Sequence, residues 1–260
     1  MDVVTILIGF LIGTLVGISG IGGAVMLLPL LIIVLKVPPL IAVGSDAVFA
    51  ALTKIGAGVV HLKQKTVDLR IVMYLAMGSI PGALIGFRGL TVLRAANGDA
   101  FDDVLRMLVG ILLVVIPVFL LAQILILMSR KDGTSSSRDD EPVRKIQTIV
   151  IGLVGGVLVG LTSVGSGSVI LVALLLVYRR SPAQLVGTDI VHAIMLTGLT
   201  GALHFTYIDS VDMNLVMLLL VGSIPGALIG ARLSVRVPAR RLQVGLLVIL
   251  FATGIYMISS

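Results

Sequence analysis

The chain contains no cysteine and little charge. Charged residues make up 12% of its 260 residues, against roughly 25% in an average soluble domain, whereas hydrophobic residues make up 58%. The absence of cysteine excludes disulfides and thiolate metal sites, and it carries no information about the cellular compartment. Because so few residues are charged, the folded chain cannot cover itself with polar surface. We therefore expect lipid to be its main solvent.

The formal net charge of +6 does not indicate nucleic-acid binding. The basic residues lie in short gaps between apolar runs, and no helix face is basic, so membrane topology explains them better. The N-terminus, Met1-Asp2 followed by an apolar run, lacks the positively charged segment of a signal peptide. We expect it to form the first membrane segment, and we expect no nucleic-acid partner.

An internal repeat organises the chain. The nonapeptide Gly-Ser-Ile-Pro-Gly-Ala-Leu-Ile-Gly occurs at Gly78–Gly86 and again at Gly222–Gly230, and Val-Gly-Ser-Asp at 43–46 matches Val-Gly-Thr-Asp at 186–189. An exact nonapeptide does not recur by chance, so the chain is a duplicated unit. Many secondary transporters build a binding site between two such halves. Residues at equivalent positions of the two copies are called repeat mates below.

Polar segments mark the boundaries between the copies. Residues 129–145 are rich in serine, glycine and charge, which is typical of a flexible tether. We predict a first membrane repeat at residues 1–128, a cytoplasmic linker at 129–145 and a second membrane repeat at 146–260. A second polar segment, 94–103, is predicted to be an external loop.

Two of the eight apolar runs are too long for one membrane crossing, which needs about 20 residues. They are Val3–Leu35 and Ile146–Val177. Each is interrupted by a glycine-rich segment, Gly17–Gly23 or Gly160–Gly167, and such clusters free the backbone to turn. We predict that each long run folds into a re-entrant helical hairpin. The predicted fold is an all-α membrane protein, a polytopic helical bundle in which each repeat has one broken hairpin and three transmembrane helices.

The basic residues test this arrangement. If each hairpin begins and ends on one side of the membrane, each repeat crosses an odd number of times and the second repeat is inverted. One face then collects 14 of the 19 Lys and Arg residues, whereas a single crossing per long run divides them 8 against 10. The positive-inside rule favours the first arrangement. We therefore predict inverted repeats with both termini outside.

The hairpin tips are predicted to form an anion site. A helix N-terminus inside the membrane carries about half a positive charge and unpaired N–H groups, which attract anions. Inversion would bring the two tips together near the midplane. The alternative is that the glycines only allow close helix packing. The predicted substrate-binding residues are Ser19, Gly20, Gly22 and Gly23 of the first tip, and Thr162, Ser163, Gly165, Ser166, Gly167 and Ser168 of the second.

Four ionisable residues lie within the apolar runs: Asp46, Lys54, Asp189 and His192. Because charge at membrane depth costs about 3 kcal/mol, it usually faces a cavity or a partner. We predict that Lys54 attracts the anion or pairs with a carboxylate, and that Asp46, Asp189 and His192 exchange protons. For the two aspartates, which are repeat mates, the alternative interpretation is capping or hydrogen bonding at the start of a helix just inside the interface.

Two other repeated features are predicted to be structural. His61 and His204 close their helices, where we expect snorkelling or capping at the membrane interface. In the nonapeptide, Gly78, Gly82 and Gly86 recur every four residues and offer a smooth face for close helix packing.

Together these features resemble the TauE/SafE sulfite exporter family. The resemblance covers nearly the whole chain and rests on the glycine-rich breaks, the Val-Gly-Ser/Thr-Asp segments and the nonapeptides. It implies export of sulfite or small organosulfonates such as sulfoacetate across the bacterial cytoplasmic (inner) membrane, by proton-linked alternating access. Ser166 lies opposite Gly23 and His192 opposite Phe49, so we expect the two half-sites to be unequal.

The alternative function is a channel or permease for another small anion, because symmetric helix breaks also occur in channels. An enzyme is not expected, since the sequence has no Ser-His-Asp constellation, HExxH motif or phosphate loop. No His, Cys and carboxylate cluster suggests a metal. The expected partners are a small anionic solute and the lipid bilayer, with no cofactor, and a homodimer is left open.

Overall fold

A computed structural model describes residues 2–19, 26–129, 142–233 and 239–259. Within these ranges every regular element is helical, which confirms the predicted all-α class. Two of the helices continue as π-helical turns, α2 at Leu30–Val34 and α8 at His204–Ile208. The helices are α1 (Asp2–Ser19), α2 (Leu27–Pro29), α3 (Pro39–Lys63), α4 (Leu69–Asn97), α5 (Phe101–Ser129), α6 (Lys145–Thr162), α7 (Val169–Val177), α8 (Pro182–Leu203), α9 (Met213–Leu233) and α10 (Ala239–Ser259).

Five helical stretches in the described ranges are long and apolar enough to cross a membrane. Large apolar side chains remain exposed along them, as at Val92, Val221 and Leu228, which are each more than 60% exposed. Lipid covers such a surface, whereas water would not. The chain is therefore a multi-pass membrane protein. The five stretches are Pro39–Lys63, Leu69–Leu121, Lys145–Thr162, Pro182–Ile208 and Met213–Leu233.

The prediction of a loop at residues 94–103 is wrong, whereas its external position stays a prediction. α4 continues to Asn97, and one 3₁₀ turn, Gly98–Ala100, joins it to α5. The side-chain amide of Asn97 donates to the carbonyl of Leu93 at 2.8 Å, so the polar residues continue the helix. The residue after the helix is Gly98, whose φ of 51° favours glycine. The polar residues mark the end of the apolar run, but the helix itself continues until Gly98.

Helices of one half pack mainly on helices of the other half. The most extensive interfaces join α1 to α9, α4 to α6, α3 to α8 and α5 to α10. α1 and α6 are repeat mates, as are α4 and α9, so the first two interfaces are equivalent. The other two interfaces each join a helix to its own mate. The packing pattern therefore maps onto itself when the halves are exchanged.

The nonapeptides lie in the closest of these interfaces. A methyl group added at Gly82 in α4 would overlap the carbonyl oxygen of Leu153 in α6, and one added at Gly226 in α9 would overlap that of Phe10 in α1. Glycines of α1 and α6 approach the nonapeptide backbones in the same way. The predicted role of these glycines in close packing is confirmed.

The mates α3 and α8 run antiparallel. A methyl group added at Gly201, near the end of α8, would lie 3.2 Å from the backbone nitrogen of Val48, in the first half of α3. One added at Gly58, near the end of α3, would lie 2.6 Å from Cδ1 of Ile194, midway along α8. Along this interface the residue numbers of α8 decrease as those of α3 increase. The two equivalent helices therefore point in opposite directions.

Candidate solute site

The fifth apolar run is broken at its glycine-rich segment, as the sequence predicts. α6 ends at Thr162, α7 begins at Val169, and residues 163–168 form the turn between them. Gly165 and Gly167 have φ angles of 112° and 97°, which side chains of L-residues rarely tolerate. The glycines therefore set the shape of the hairpin tip.

α7 folds back along α6. Its nine residues extend only about 14 Å, too short to cross a membrane. The hydroxyl group of Tyr178, just after α7, lies 2.6 Å from the hydroxyl of Thr148 and accepts from the backbone N–H of Arg144 at 3.0 Å, at the beginning of α6. The two ends of this hairpin therefore lie side by side.

In the first apolar run, α1 extends to Ser19 and α2 begins at Leu27, and residues 20–25 between them lie outside the described residues. The predicted tip residues Gly20, Gly22 and Gly23, and the side chain of Ser19, lie outside the described residues. Their predicted role in binding stays a prediction.

Lys54 of α3 reaches the tip of the α6–α7 hairpin. Its Nζ donates to the backbone carbonyl of Ser166 at 3.1 Å and contacts the Ser166 hydroxyl at 3.2 Å. A side chain at Gly167 would begin 3.5 Å from the same Nζ and 3.6 Å from Oδ2 of Asp189 in α8. Lys54 also interacts electrostatically with both Asp189 and Asp46. The ammonium group thus lies where α3, α8 and the hairpin meet.

Asp46 binds the first residue of the same turn. The Ser163 hydroxyl donates to Oδ2 of Asp46 at 2.7 Å. α3 begins at Pro39 and α8 at Pro182, so Asp46 and Asp189 lie about two turns inside their helices. Neither carboxylate is in a capping position, so the capping part of the alternative interpretation is wrong, whereas Asp46 does form a hydrogen bond.

His192 extends the cluster to α4. Its Nε2 lies 2.7 Å from the hydroxyl of Ser79, and both side chains are buried. Sequence reasoning missed Ser79 because it assigned the whole nonapeptide to packing. The available signal was that serine supplies the one hydroxyl group in this segment.

Among the four predicted hydroxyl groups of this tip, that of Ser168 alone has no hydrogen-bond partner in the part of the chain that the structure describes. Thr162 donates to the carbonyl of Leu158 in its own helix at 2.9 Å, while Ser163 and Ser166 contact Asp46 and Lys54. The amides of Ser168 and Val169 donate to the carbonyl of Gly165 at 3.4 and 3.3 Å. Part of the predicted donor set therefore holds the turn together.

Four buried polar atoms of the cluster have no hydrogen-bond partner among the described residues. A buried polar atom without a partner costs about 1–3 kcal/mol. Such atoms are usually satisfied by water or by a polar ligand. The cluster can therefore exchange hydrogen bonds with a small polar solute beside the ammonium of Lys54. The four atoms are Oδ1 of Asp46, Oγ of Ser168, Oδ1 of Asp189 and Nδ1 of His192.

Of the two roles expected for His204, snorkelling at the interface is wrong, whereas the residue does lie at the C-cap position of α8. His204 is fully buried, its Nδ1 lies 2.8 Å from the hydroxyl of Ser210, and its ring packs edge-on against Phe87. The end of α8 is covered by α4, so the imidazole never reaches the surface. Its mate His61 is half-buried, with Nδ1 2.8 Å from the hydroxyl of Thr66.

Membrane-spanning helices that enclose a cluster of charged residues define a multi-pass membrane protein with an internal polar site. The chain belongs to the TauE/SafE family, since the family model described as "Sulfite exporter TauE/SafE" matches residues 5–257.

Curated relatives agree with this membership. The chain is 38% identical over 258 residues to "Probable membrane transporter protein YjnA" of Bacillus subtilis (strain 168), which covers 99% of this chain and 100% of the relative. It is 28% identical over 262 residues to a "Probable membrane transporter protein" of Xylella fastidiosa (strain 9a5c), covering 98% and 94%. No solved structure matches the chain. The family and the relatives indicate a membrane transporter rather than an enzyme.

Proposed function

We propose that the protein exports small sulfur-containing anions, sulfite or organosulfonates such as sulfoacetate, across the bacterial cytoplasmic membrane by proton-coupled alternating access. The family supplies the chemical class of the solute. The observation that carries the proposal is Lys54, an ammonium group held at a broken hairpin among buried polar atoms that lack partners. A positive charge beside the Ser168 hydroxyl and the His192 imidazole, whose Oγ and Nδ1 have no hydrogen-bond partner among the described residues, suits an oxyanion.

The helix directions support an inverted arrangement of the two halves. Two equivalent helices that lie antiparallel, as α3 and α8 do, are related by an axis perpendicular to their length. For spanning helices this axis lies in the membrane plane. The side-by-side ends of the α6–α7 hairpin support an odd number of crossings in each repeat. The proposed topology has repeats at 1–128 and 146–260, a cytoplasmic linker at 129–145 and both termini outside.

The charges in the site support proton coupling. Two carboxylates and one ammonium group leave a net negative charge when all three are ionised. A further negative charge about 4 Å from a carboxylate costs about 4 kcal/mol at an effective dielectric constant of 20. An anion therefore binds better once a carboxylate has bound a proton. In the proposed cycle Asp46, Asp189 and His192 exchange these protons, and the alternating access of the site moves the solute.

The membrane potential favours export of this kind. A doubly charged anion that leaves with one proton still moves negative charge outward. An inside-negative potential favours that movement by about 2.3 kcal/mol per 100 mV for each charge.

Flux measurements in proteoliposomes test the proposal. Sulfite, sulfoacetate, taurine and sulfate are compared with and without an imposed pH gradient. We expect flux of sulfite or sulfoacetate, with accumulation beyond equilibrium when the gradient is present. Absence of flux for every sulfur anion contradicts the proposal. Flux that only dissipates the solute gradient identifies a channel instead.

A further inference from the structure

We infer that Ser79, in the first nonapeptide, positions His192 so that the Nδ1–H of its imidazole donates a hydrogen bond to an oxygen atom of the transported oxyanion. The identity of the solute rests on the proposed function. The arrangement of Ser79 and His192 does not depend on it. The inference adds a positioning residue to the site and gives His192 a role in recognising the solute.

The hydroxyl proton of Ser79 has one acceptor. Many hydroxyl groups on the helices of this chain donate to a carbonyl of the preceding turn, as those of Thr148 and Thr200 do. In the part of the chain that the structure describes, Ser79 bonds only to Nε2 of His192. If the imidazole were the donor, the buried hydroxyl proton of Ser79 would have no acceptor. Ser79 therefore donates to Nε2.

This bond selects the tautomer of His192. A neutral imidazole carries one N–H, so a ring that accepts at Nε2 must be protonated at Nδ1. His192 is 0% exposed, and its Nδ1 has no hydrogen-bond partner among the described residues. Asp189, one turn earlier on α8, does not accept from it. The ring therefore offers an unused N–H donor in the cluster that holds the ammonium of Lys54.

The other copy of the repeat lacks this arrangement. The mate of His192 is Phe49, and the mate of Ser79 is Ser223, which donates to the carbonyl of Leu220 in its own helix at 3.4 Å. The packing of the two serines is matched. A methyl group added at Gly156 would overlap the carbonyl oxygen of Ser79, and the same contact occurs between α1 and Ser223. A packing role predicts equal effects of removing either hydroxyl, whereas a positioning role predicts an effect at Ser79 alone.

The experiment compares Ser79→Ala with Ser223→Ala in the full chain, reconstituted in lipid. The first measurement is ¹⁵N NMR of labelled histidine, which distinguishes the two neutral tautomers, and the chain has only three histidines to assign. We expect the Nδ1–H tautomer for His192 in the wild type and in Ser223→Ala. We expect a shift towards the Nε2–H tautomer in Ser79→Ala, and restoration in Ser79→Thr, which keeps a hydroxyl.

The second measurement is sulfite flux. Because one hydrogen bond to a charged group is lost, Ser79→Ala raises the KM for sulfite by about three- to tenfold and changes kcat less, while Ser223→Ala stays within about twofold. His192→Asn, which keeps an N–H near the position of Nδ1, retains a lower KM than His192→Gln, which places its amide near Nε2.

Each outcome decides between the two proposals. An Nε2–H tautomer in the wild type, or equal effects of Ser79→Ala and Ser223→Ala, overturns the positioning role even if sulfite is transported. If the tautomer responds as expected but no sulfur anion is transported, the positioning of His192 by Ser79 stands, and the proposed function with its oxyanion contact fails.

Discussion

Lys54 and Thr197 occupy equivalent positions on α3 and α8, and Lys54 bonds to the tip of the α6–α7 hairpin. Thr197 donates to the carbonyl of Ala193 in its own helix at 2.7 Å. His192 and Phe49 differ in the same way, since the imidazole is hydrogen-bonded to another helix whereas the phenyl ring is buried in the apolar core. One half of the molecule therefore supplies the charged group of the first pair, and the other half supplies the polar ring of the second.

The interfaces between helices show the opposite behaviour. Glycines at equivalent positions of α4 and α9 contact the backbones of α6 and α1 in the same way, and Asp46 and Asp189 occur in both halves. The difference shows which part of a duplicated protein has to stay symmetric. Packing surfaces tolerate little change. In the proposed cycle, a lysine at position 197 as well would neutralise the second carboxylate, and neither carboxylate would be free to bind a proton.

The largest effect is expected where the halves are equivalent. Gly82→Leu and Gly226→Leu each force a side chain into the backbone of the facing helix, at a cost of 3 kcal/mol or more. We expect neither variant to give folded protein, as measured by size-exclusion chromatography in detergent. Gly56→Leu is the control, because a side chain there meets nothing within 4 Å. A monodisperse Gly82→Leu variant would show that the interface is looser than described.

The second largest effect is expected from a substitution at Lys54, which removes the charge that distinguishes the two halves of the site. Lys54→Gln can still bond to the hairpin but leaves two carboxylates without their positive partner, so we expect sulfite flux to fall by about 100-fold or more. Thr197→Val removes only a bond within α8 and should stay within about threefold. Comparable losses in both variants would argue that residue 197 takes part in transport as well.

The features predictable from sequence are those that depend on neighbouring residues. Hydropathy predicts the helices, the glycine cluster predicts the break at residues 163–168, and the regular glycines predict close packing. The cost of charge in lipid also indicated that Lys54 faces a polar partner inside the protein. Each of these signals is local, so a single sequence contains it.

The contacts that build the site are not local. Lys54 bonds to a residue 112 positions away, and Ser79 to one 113 positions away. Which helices face each other depends on the packing of the whole bundle, and the pattern around Ser79 is the same as that around Ser223. The prediction of a loop at residues 94–103 was wrong for another reason. Hydropathy marks the edge of the membrane and not the end of a helix, and α4 continues to Asn97.

The two carboxylates offer a finer comparison. Oδ2 of Asp46 accepts from Ser163 at 2.7 Å, whereas the equivalent position in the other half is Gly20, which has no hydroxyl group to offer Asp189. We therefore expect Asp189 to carry more of the proton exchange. In Asp189→Asn, the ratio of sulfite flux with and without a pH gradient should fall to about 1, and total flux by about tenfold. Asp46→Asn should keep part of the response. Unchanged ratios in both variants would exclude these carboxylates as the coupling groups.

The smallest effect concerns Asp68 and Asp212, the mates that precede α4 and α9. Both accept from backbone N–H groups of the following helix, and the backbone N–H of each donates to a hydroxyl of the other half, Thr188 or Ser45. Within the described ranges, Asp68 alone of the two also forms an ion pair, with the largely buried Arg180. The position equivalent to Arg180 in the first half is Val37.

Asparagine at either position keeps the helix cap and removes the charge, so the difference between Asp68→Asn and Asp212→Asn isolates the ion pair. Because a hydrogen bond between charged groups contributes about 1.5–3 kcal/mol, Asp68→Asn should lower the Tm in detergent by about 3–10 °C more than Asp212→Asn does. Both variants also lose the interaction of the carboxylate charge with the helix dipole, and this loss cancels when their Tm values are compared. Equal Tm values would mean that the pair contributes nothing net, as when the desolvation of Arg180 offsets its attraction to Asp68.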